Sequence, residues 1–257
     1  MTHKSLKGIG VLITRPKKSA NGLIEAIESE GGNVFNFPVI NIVPRGKNLV
    51  AAEEAKLPNP DITIFISRNA VQEGLQYARK SLIGAIGPST SAAIKNNAQN
   101  VDIEPTKGFD SENLLKEADL QNISGKRIRI IRGNKGRKLL GRTLQDRGAI
   151  VHYLSVYERK LPDINKAILE RIETAMRKKQ IHIVTAMSAQ TYRNIFLLFP
   201  KKYLKDIGSL PLVTPAVRVI KEAKKNYPHS KYFLSDSIDI PKVIDAIILA
   251  SKLKTKI

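Results

Sequence analysis

The 257-residue chain contains no cysteine and no tryptophan. Without cysteine there can be no disulfide, no thiol nucleophile and no thiolate metal site. Aromatic residues make up 5% of the chain, so a core has to be built from Ile, Leu, Val and Ala, and the 42% hydrophobic content is enough to build one. The four histidines (His3, His152, His182 and His229) are scattered and show no ligand spacing such as HExxH, so no metal site is expected. The segment GNKGRK lacks the GxxxxGK[ST] spacing of a phosphate-binding loop and no GxGxxG follows a strand, which leaves nucleotide and dinucleotide cofactors unsupported. No cofactor is expected. MTHKSLKGIG lacks the apolar run of a secretory signal, and no stretch approaches a membrane span; the expectation is a cytoplasmic protein with no membrane association.

Acids are scarce as well. Against 43 Lys and Arg there are 23 Asp and Glu, giving a net charge of +20. Such a balance attracts polyanions: nucleic acid, an acidic membrane surface, or a small substrate with several carboxylates or phosphates. The basic residues are spread along helices and termini (Lys201-Lys202, Lys224-Lys225, Lys252-Lys254-Lys256), with no RRM, zinc-finger or helix-turn-helix signature beside them. Charge alone does not choose among these partners.

The stretch from Arg127 to Arg159 supplies the organisation. It reads as a strand (Arg127–Ile131), a basic turn (Arg132–Gly136), an amphipathic helix (Lys138–Arg147), a strand (Ala149–Tyr153) and a second extended run (Ser155–Arg159). The N-terminal GIGVLITRPKKSANGLIEAIESEGGNVFNFPVINIVP has the same order of parts. VLITRP aligns with IRIIRG, and EGGNVFNFPVINIVP with DRGAIVHYLSVYERKLP. This is an internal duplication of domain-sized units. Strands alternate with helices throughout: Asp61–Ile66 before a helix Asn69–Ala78, Leu82–Ile86 before Ser91–Asn97, and a cap at Asp110-Ser111-Glu112 before Asn113–Ala118. In the second half Ile181–Thr185 precedes Ala189–Leu198, Leu210–Val213 precedes Ala216–Asn226, and Lys231–Leu234 precedes a helix from about Ile238 to Lys252. A charged helix Asp163–Lys179 joins the copies. The fold class is α/β, with parallel sheets wrapped on both faces.

In such folds ligands bind outside the carboxyl ends of the strands. The turns there are Thr14-Arg15-Pro16, Ser67-Arg68-Asn69, Gly87-Pro88-Ser89-Thr90, Arg132-Gly133-Asn134, Met187-Ser188 and Thr214-Pro215. They are rich in Gly, Ser, Thr and Arg and nearly free of acids, a composition suited to carboxylate or phosphate binding. Ser67, Thr90 and Ser188 read equally as helix N-caps. Arg15 and Arg132 end a strand at the same place in both copies. Tyr157, in LSVYERK, stands apart as a candidate proton donor, against the alternative of an ordinary strand tyrosine. No Ser-His-Asp set or carboxylate pair accompanies these turns, so any chemistry rests on positioning and charge stabilisation.

Taken together, VLITRP, EGGNVFNFPVINIVP, IFISRNAV, AIGPSTSAAI, GFDSENLL, IRIIRG…GRKLL…RGAIVHYLSVYERKLP and LVTPAVRVIKEA give the chain a resemblance to uroporphyrinogen-III synthases of the bacterial type, from about Ile9 to Ala223. The resemblance implies two flavodoxin-like parallel-sheet domains joined by a two-stranded antiparallel ladder. Residues 1–38 with 161–257 would form one domain, 44–154 the other, and 39–43 with 155–160 the ladder. It implies a monomeric enzyme whose partner is the small-molecule polycarboxylate hydroxymethylbilane, with no specific nucleic acid and no membrane. That substrate is closed to uroporphyrinogen III with inversion of the last ring and loss of water, without metal or cofactor. The implied route begins with loss of the terminal hydroxyl to an azafulvene cation, passes through a spiro intermediate, and recloses at the other carbon. Carried over residue by residue, the donor falls on Tyr157. Substrate-binding positions fall on Ser67, Thr90, the Arg132-Gly133 pair and Arg137, and the other strand-end turns add Arg15, Gly87, Ser89, Ser188 and Thr214. The chain departs from the family pattern at Ala216 and at Met187-Ser188. The alternative reading is a non-catalytic polyanion-binding protein on the same fold, directed at nucleic acid or acidic membrane.

Overall fold

The computed structural model describes residues 4–78 and 80–253; His3, Lys254 and Lys256 lie outside them. Along the chain the elements run β1 (Gly10–Ile13), α1 (Lys17–Ser29), β2 (Asn33–Asn36), β3 (Asn41–Pro44), α2 (Lys47–Glu54), β4 (Ile62–Phe65), α3 (Arg68–Gly74), β5 (Leu82–Ala85), α4 (Pro88–Lys95) and α5 (Ser111–Leu114). There follow β6 (Arg127–Gly133), α6 (Leu139–Asp146), β7 (Ile150–Lys160), α7 (Lys166–Arg177), β8 (Ile183–Thr185), α8 (Ala189–Leu198), α9 (Leu204–Ser209), β9 (Leu212–Thr214), α10 (Val217–Asn226), β10 (Tyr232–Leu234) and α11 (Ile240–Ser251).

The chain forms two compact units, one made of the described residues up to Asn41 and from Leu161, the other of Ile42–Lys160. The first unit holds a sheet in the order β2-β1-β8-β9-β10, with every pair parallel. Numbered as the strands occur within the unit, that order is 2-1-3-4-5, the flavodoxin-like doubly wound arrangement. Side chains alternate across the sheet as strand geometry requires. Leu12, Val184 and Leu212 pack in one core cluster beneath α7, α8 and α10, while Val11, Ile13, Ile183 and Val213 pack in the other, against α1 and α11. Helix α7 is capped by Asn165, whose Oδ1 accepts from the Ile168 amide at 2.9 Å. It ends with Lys179 at φ 51°, in a position usually held by glycine, where Lys179 N donates to Met176 O and Gln180 N to Ala175 O.

The second unit has the order β3-β7-β6-β4-β5, and the β7-β6, β6-β4 and β4-β5 pairs are parallel. A parallel bridge from Gly84 to Ile103 extends this sheet past β5. Counted from β6, the order β7-β6-β4-β5-Ile103 is again 2-1-3-4-5. Phe65, Ile131, Leu154 and Val156 line one face with α3; Ile62, Ile64, Ile128 and Ile130 line the other with Leu140 and Leu144 of α6.

Three local features depart from the sequence expectation. Strand β7 runs unbroken over 11 residues, where the sequence pattern predicts two extended runs, because it is paired on both sides, to β6 and β3. Arg132 and Gly133 finish β6 and do not open the turn. The helix read as Asn69–Ala78 ends at Gly74 and tightens into a 3-10 turn over Leu75–Tyr77. A β-carbon on Gly74 would meet Ile131 Cγ2 at 2.6 Å, so the glycine lets α3 rest directly on β6.

Between Arg132 and Gly133 the β6–β7 register shifts: Arg132 pairs with Ser155, but Gly133 pairs with Tyr157. Two consecutive β7 residues, Val156 and Tyr157, therefore enter the same core cluster, which is what a β-bulge does. Arg45 holds this stretch from the β3 side, its amide donating to Val156 O at 3.1 Å and its Nη1 to Ser155 O at 3.0 Å.

Candidate active site in the second unit and its counterpart in the first

In a doubly wound sheet the binding position lies at the carboxyl edge where the strand order reverses. In the second unit that point falls between β6 and β4. Phe65 pairs with both Ala85 and Ile131. Two residues further on, Ser67, Gly87 and Gly133 stand at one level, and Gly133 is in register with Tyr157. The sequence-derived positions Tyr157, Gly133, Ser67 and Gly87 thus form a row across four strands.

Tyr157 is fully buried, at 0% exposure. Its hydroxyl lies 3.1 Å from Ser67 Oγ and accepts a hydrogen bond from Arg159 Nη2 at 3.3 Å. The Arg159 guanidinium also lies over the phenol ring, 5.8 Å from its centroid. Ser67 is half-buried and caps α3, its Oγ accepting from the Ala70 amide at 3.1 Å. With one lone pair given to that amide, the serine keeps its own O–H to donate. Asn134 closes the arrangement: its amide donates to Tyr157 O at 2.9 Å, and its Oδ1 accepts from the Arg159 amide at 3.2 Å.

The other positions of this unit surround the row. Gly87 is the N-cap residue of α4 and accepts from the amides of Thr90 and Ser91, both at 3.0 Å; Thr90 is buried and Ser89 half-buried. Arg132 is 9% exposed and turns to the opposite face of the sheet from Tyr157. There its Nε donates to Gly133 O at 3.1 Å and its guanidinium lies 5.0 Å from the ring centroid of Tyr153. Its two Nη groups have no hydrogen-bond partner among the described residues. Arg137 is paired with Glu112 through both Nη groups, which holds the guanidinium above its usual range.

In the first unit the reversal falls between β1 and β8. Arg15, 8% exposed, donates from Nη2 to Ile238 O at 2.9 Å and to Met187 Sδ at 3.4 Å. Thr14 and Thr185 cross-link the two strands, Thr14 Oγ1 donating to Thr185 O at 2.6 Å and Thr185 Oγ1 to Leu12 O at 3.1 Å. Ser188 is engaged in a capping box with Thr191, so its hydroxyl serves α8. Thr214 is buried and its Oγ1 accepts from the Ala216 amide at 3.3 Å. Among the described residues no helix is long and apolar enough to cross a membrane, and no group of three or more His, Cys, Asp or Glu is placed to hold a metal.

The family model described as "HEM4: Uroporphyrinogen-III synthase HemD" matches residues 21–233. The chain belongs to the uroporphyrinogen-III synthase family. It is 31% identical over 207 residues to the uroporphyrinogen-III synthase of Escherichia coli K12, covering 76% of this chain and 82% of that one. The Salmonella typhimurium synthase is 32% identical over 208 residues, with the same coverage. Among solved structures, a mutant uroporphyrinogen III synthase from the extremely thermophilic bacterium Thermus thermophilus matches with a TM-score of 0.63 at 17% identity, covering 95% of this chain and 99% of that one. The Helicobacter pylori 26695 uroporphyrinogen-III synthetase matches at 0.62 and 12% identity, covering 95% and 99%. Those two likenesses bear on the fold, which is α/β with parallel sheets. Arg159, whose Nη2 donates to the Tyr157 hydroxyl, is the residue of this candidate site that the sequence pattern does not single out. Its signal was its place two residues after Tyr157, which puts both side chains on one side of the strand.

Proposed function

We propose that the chain cyclises hydroxymethylbilane to uroporphyrinogen III, with inversion of the last ring and loss of water, and that Tyr157 and Ser67 supply the proton for the first step. The observation carrying this is the 3.1 Å contact between the Tyr157 hydroxyl and Ser67 Oγ at the carboxyl edge. Departure of hydroxide from the terminal carbon is slow unless it leaves as water, which calls for a positioned acid. The phenol is enclosed and the serine is half-exposed, so the proton travels through Ser67. The serine gives its own proton to the substrate hydroxyl and takes the one from Tyr157. The C–O bond breaks, water departs with the electron pair, and an azafulvene cation and a phenolate remain. Attack, fragmentation and reclosure then proceed within the bound substrate. The α-hydrogen lost at final closure restores the proton to the phenol.

Donors at the strand ends of the second unit suit the substrate's carboxylates: the turns at Gly87-Ser89-Thr90, Arg132-Gly133 and Arg137. The first unit, taken by itself, presents Arg15, Ser188 and Thr214 at its own strand ends. The open Nη groups of Arg132 suit a carboxylate as they stand. Arg137 would exchange Glu112 for one.

We read the two units as copies of one duplicated domain, residues 1–38 with 161–257 and residues 44–154, with 39–43 and 155–160 as an antiparallel ladder. The shared 2-1-3-4-5 strand order supports this, since an unrelated pair of sheets would have no reason to agree once the count starts at β6.

The test is to supply hydroxymethylbilane and resolve the porphyrin isomers after oxidation. The type III isomer is expected. Type I alone, the spontaneous product, would refute the reading.

A further inference from the structure

We infer that Arg159 is a positioning residue of this reaction, acting through Tyr157 to stabilise the negative charge left on the phenol oxygen when its proton departs. The inference rests on the reading of Tyr157 as the proton source.

Four observations carry it. Arg159 Nη2 already donates to the Tyr157 hydroxyl, at 3.3 Å, before any charge has formed. The guanidinium makes no ion pair and reaches no other acceptor among the described residues, so its charge is not neutralised by a carboxylate. Glu158, the acid next to it in sequence, is instead paired with Lys160 at 2.9 Å. The backbone of Arg159 is fixed by Asn134 Oδ1, and the same asparagine's amide fixes the carbonyl of Tyr157, so acid and cation hang from one anchor.

The chemistry follows from the donor inventory. A phenol that has lost its proton carries a full negative charge in an enclosed place, where an unopposed charge is costly. Once the proton has passed, Arg159 N–H and the O–H of Ser67, which now carries the proton taken from Tyr157, both lie at that oxygen. Together they make a two-donor cradle for the phenolate, and a hydrogen bond between ionised partners is roughly twice as strong as a neutral one. Such preorganised donors lower the barrier because they need not move when charge appears. The proton arithmetic is unchanged: Tyr157 loses one proton by way of Ser67 and regains one at closure, and Arg159 keeps its own throughout.

The experiment compares Arg159→Gln, Arg159→Lys, Tyr157→Phe and the double variant Arg159→Gln/Tyr157→Phe in the full chain. The readouts are kcat and KM for type III formation from hydroxymethylbilane. Arg159→Gln is expected to lower kcat on the order of 10- to 100-fold with KM little changed, as for loss of one charge-stabilising donor. Arg159→Lys should recover most of that loss. The double variant should be no slower than Tyr157→Phe, because a residue that works through another has nothing left to do once that other is gone. A kcat unchanged in Arg159→Gln, a rise in KM alone, or multiplicative losses in the double variant would each overturn the inference. If Tyr157→Phe itself turns over like the parent chain, the proton-source reading fails, and that outcome differs from any of the three.

Discussion

A β-carbon on Gly133 would lie 2.6 Å from Cε2 and 2.8 Å from Cζ of Tyr157. The phenol ring therefore lies against bare backbone, and no other residue at position 133 leaves it where it is. Gly133→Ala should push the ring away from Ser67 by roughly the ångström that costs on the order of 100-fold in a positioned reaction. The overpacking should also cost about 1–3 kcal/mol of stability. Isomer-resolved kinetics beside urea denaturation will separate the two effects. An alanine variant with the parent's rate would show that the ring need not be where it is.

Tyr157→Phe and Ser67→Ala should each lower the type III rate on the order of 100-fold, the usual worth of a positioned proton donor. The two losses should not multiply, since the residues share one proton path. Ser67→Ala should additionally cost about 1 kcal/mol from the lost cap of α3. With either variant, type I porphyrin should rise in the product mixture as spontaneous closure overtakes the enzyme.

How much of this was legible in the chain depends on what each residue's signal consists of. The strand-to-helix turns could be read because Gly, Ser and Thr after an apolar run have few other uses, and the strand ends at Ser67, Gly87 and Thr214 follow from that. The bulge could not be read: nothing in LSVYERK says that Val156 and Tyr157 will share a face. Alternation would have sent Tyr157 to the other side of the sheet, away from Ser67. Arg132 shows the converse. Its place at a strand end was visible, but its stacking on Tyr153 depends on a packing partner 21 residues away that no local pattern announces.

Arg129 and Glu54 form a buried ion pair at 2.6 Å inside the second unit, with their side chains 1% and 5% exposed. Arg129 also donates to Tyr77 O at 3.1 Å and Pro58 O at 2.8 Å. Removing one member of a buried pair leaves the other charged and uncompensated, which typically costs about 3–5 kcal/mol. Arg129→Met should lower the urea midpoint by a matching amount while the folded fraction keeps its rate. A midpoint equal to the parent's would mean that the methionine packs as well as the pair.

Asp61 accepts from Arg127 Nη2 at 2.9 Å, Nε at 3.2 Å and N at 2.8 Å. These bonds, the side-chain ones first, bring its pKa down to about 2. An unfolded aspartate titrates near about 3.9. The stabilisation is thus present above about pH 4 and is lost as the pH falls through about 2. In Asp61→Asn the loss of stability between about pH 4 and 2 should be shallower than in the parent, and the variant should already be the weaker protein at about pH 7. Thermal melts taken across that range will show whether the two curves converge at low pH as expected.

The shift of register between Arg132 and Gly133 makes the chemistry depend on a count. From Ile150 to Ser155 the strand keeps step with β6 one residue at a time, and a single extra residue then changes the parity of everything after it. Tyr157 and Arg159 face Ser67 because the extra residue comes before them. Deleting Val156 would close the bulge and, with Ser155 still opposite Arg132, leave Tyr157 opposite Gly133 on the same face of the sheet. The deletion should therefore cost stability through the lost buried valine while the phenol stays beside Ser67. Type III kinetics beside urea denaturation of that variant would separate the face from the bulge that now sets it.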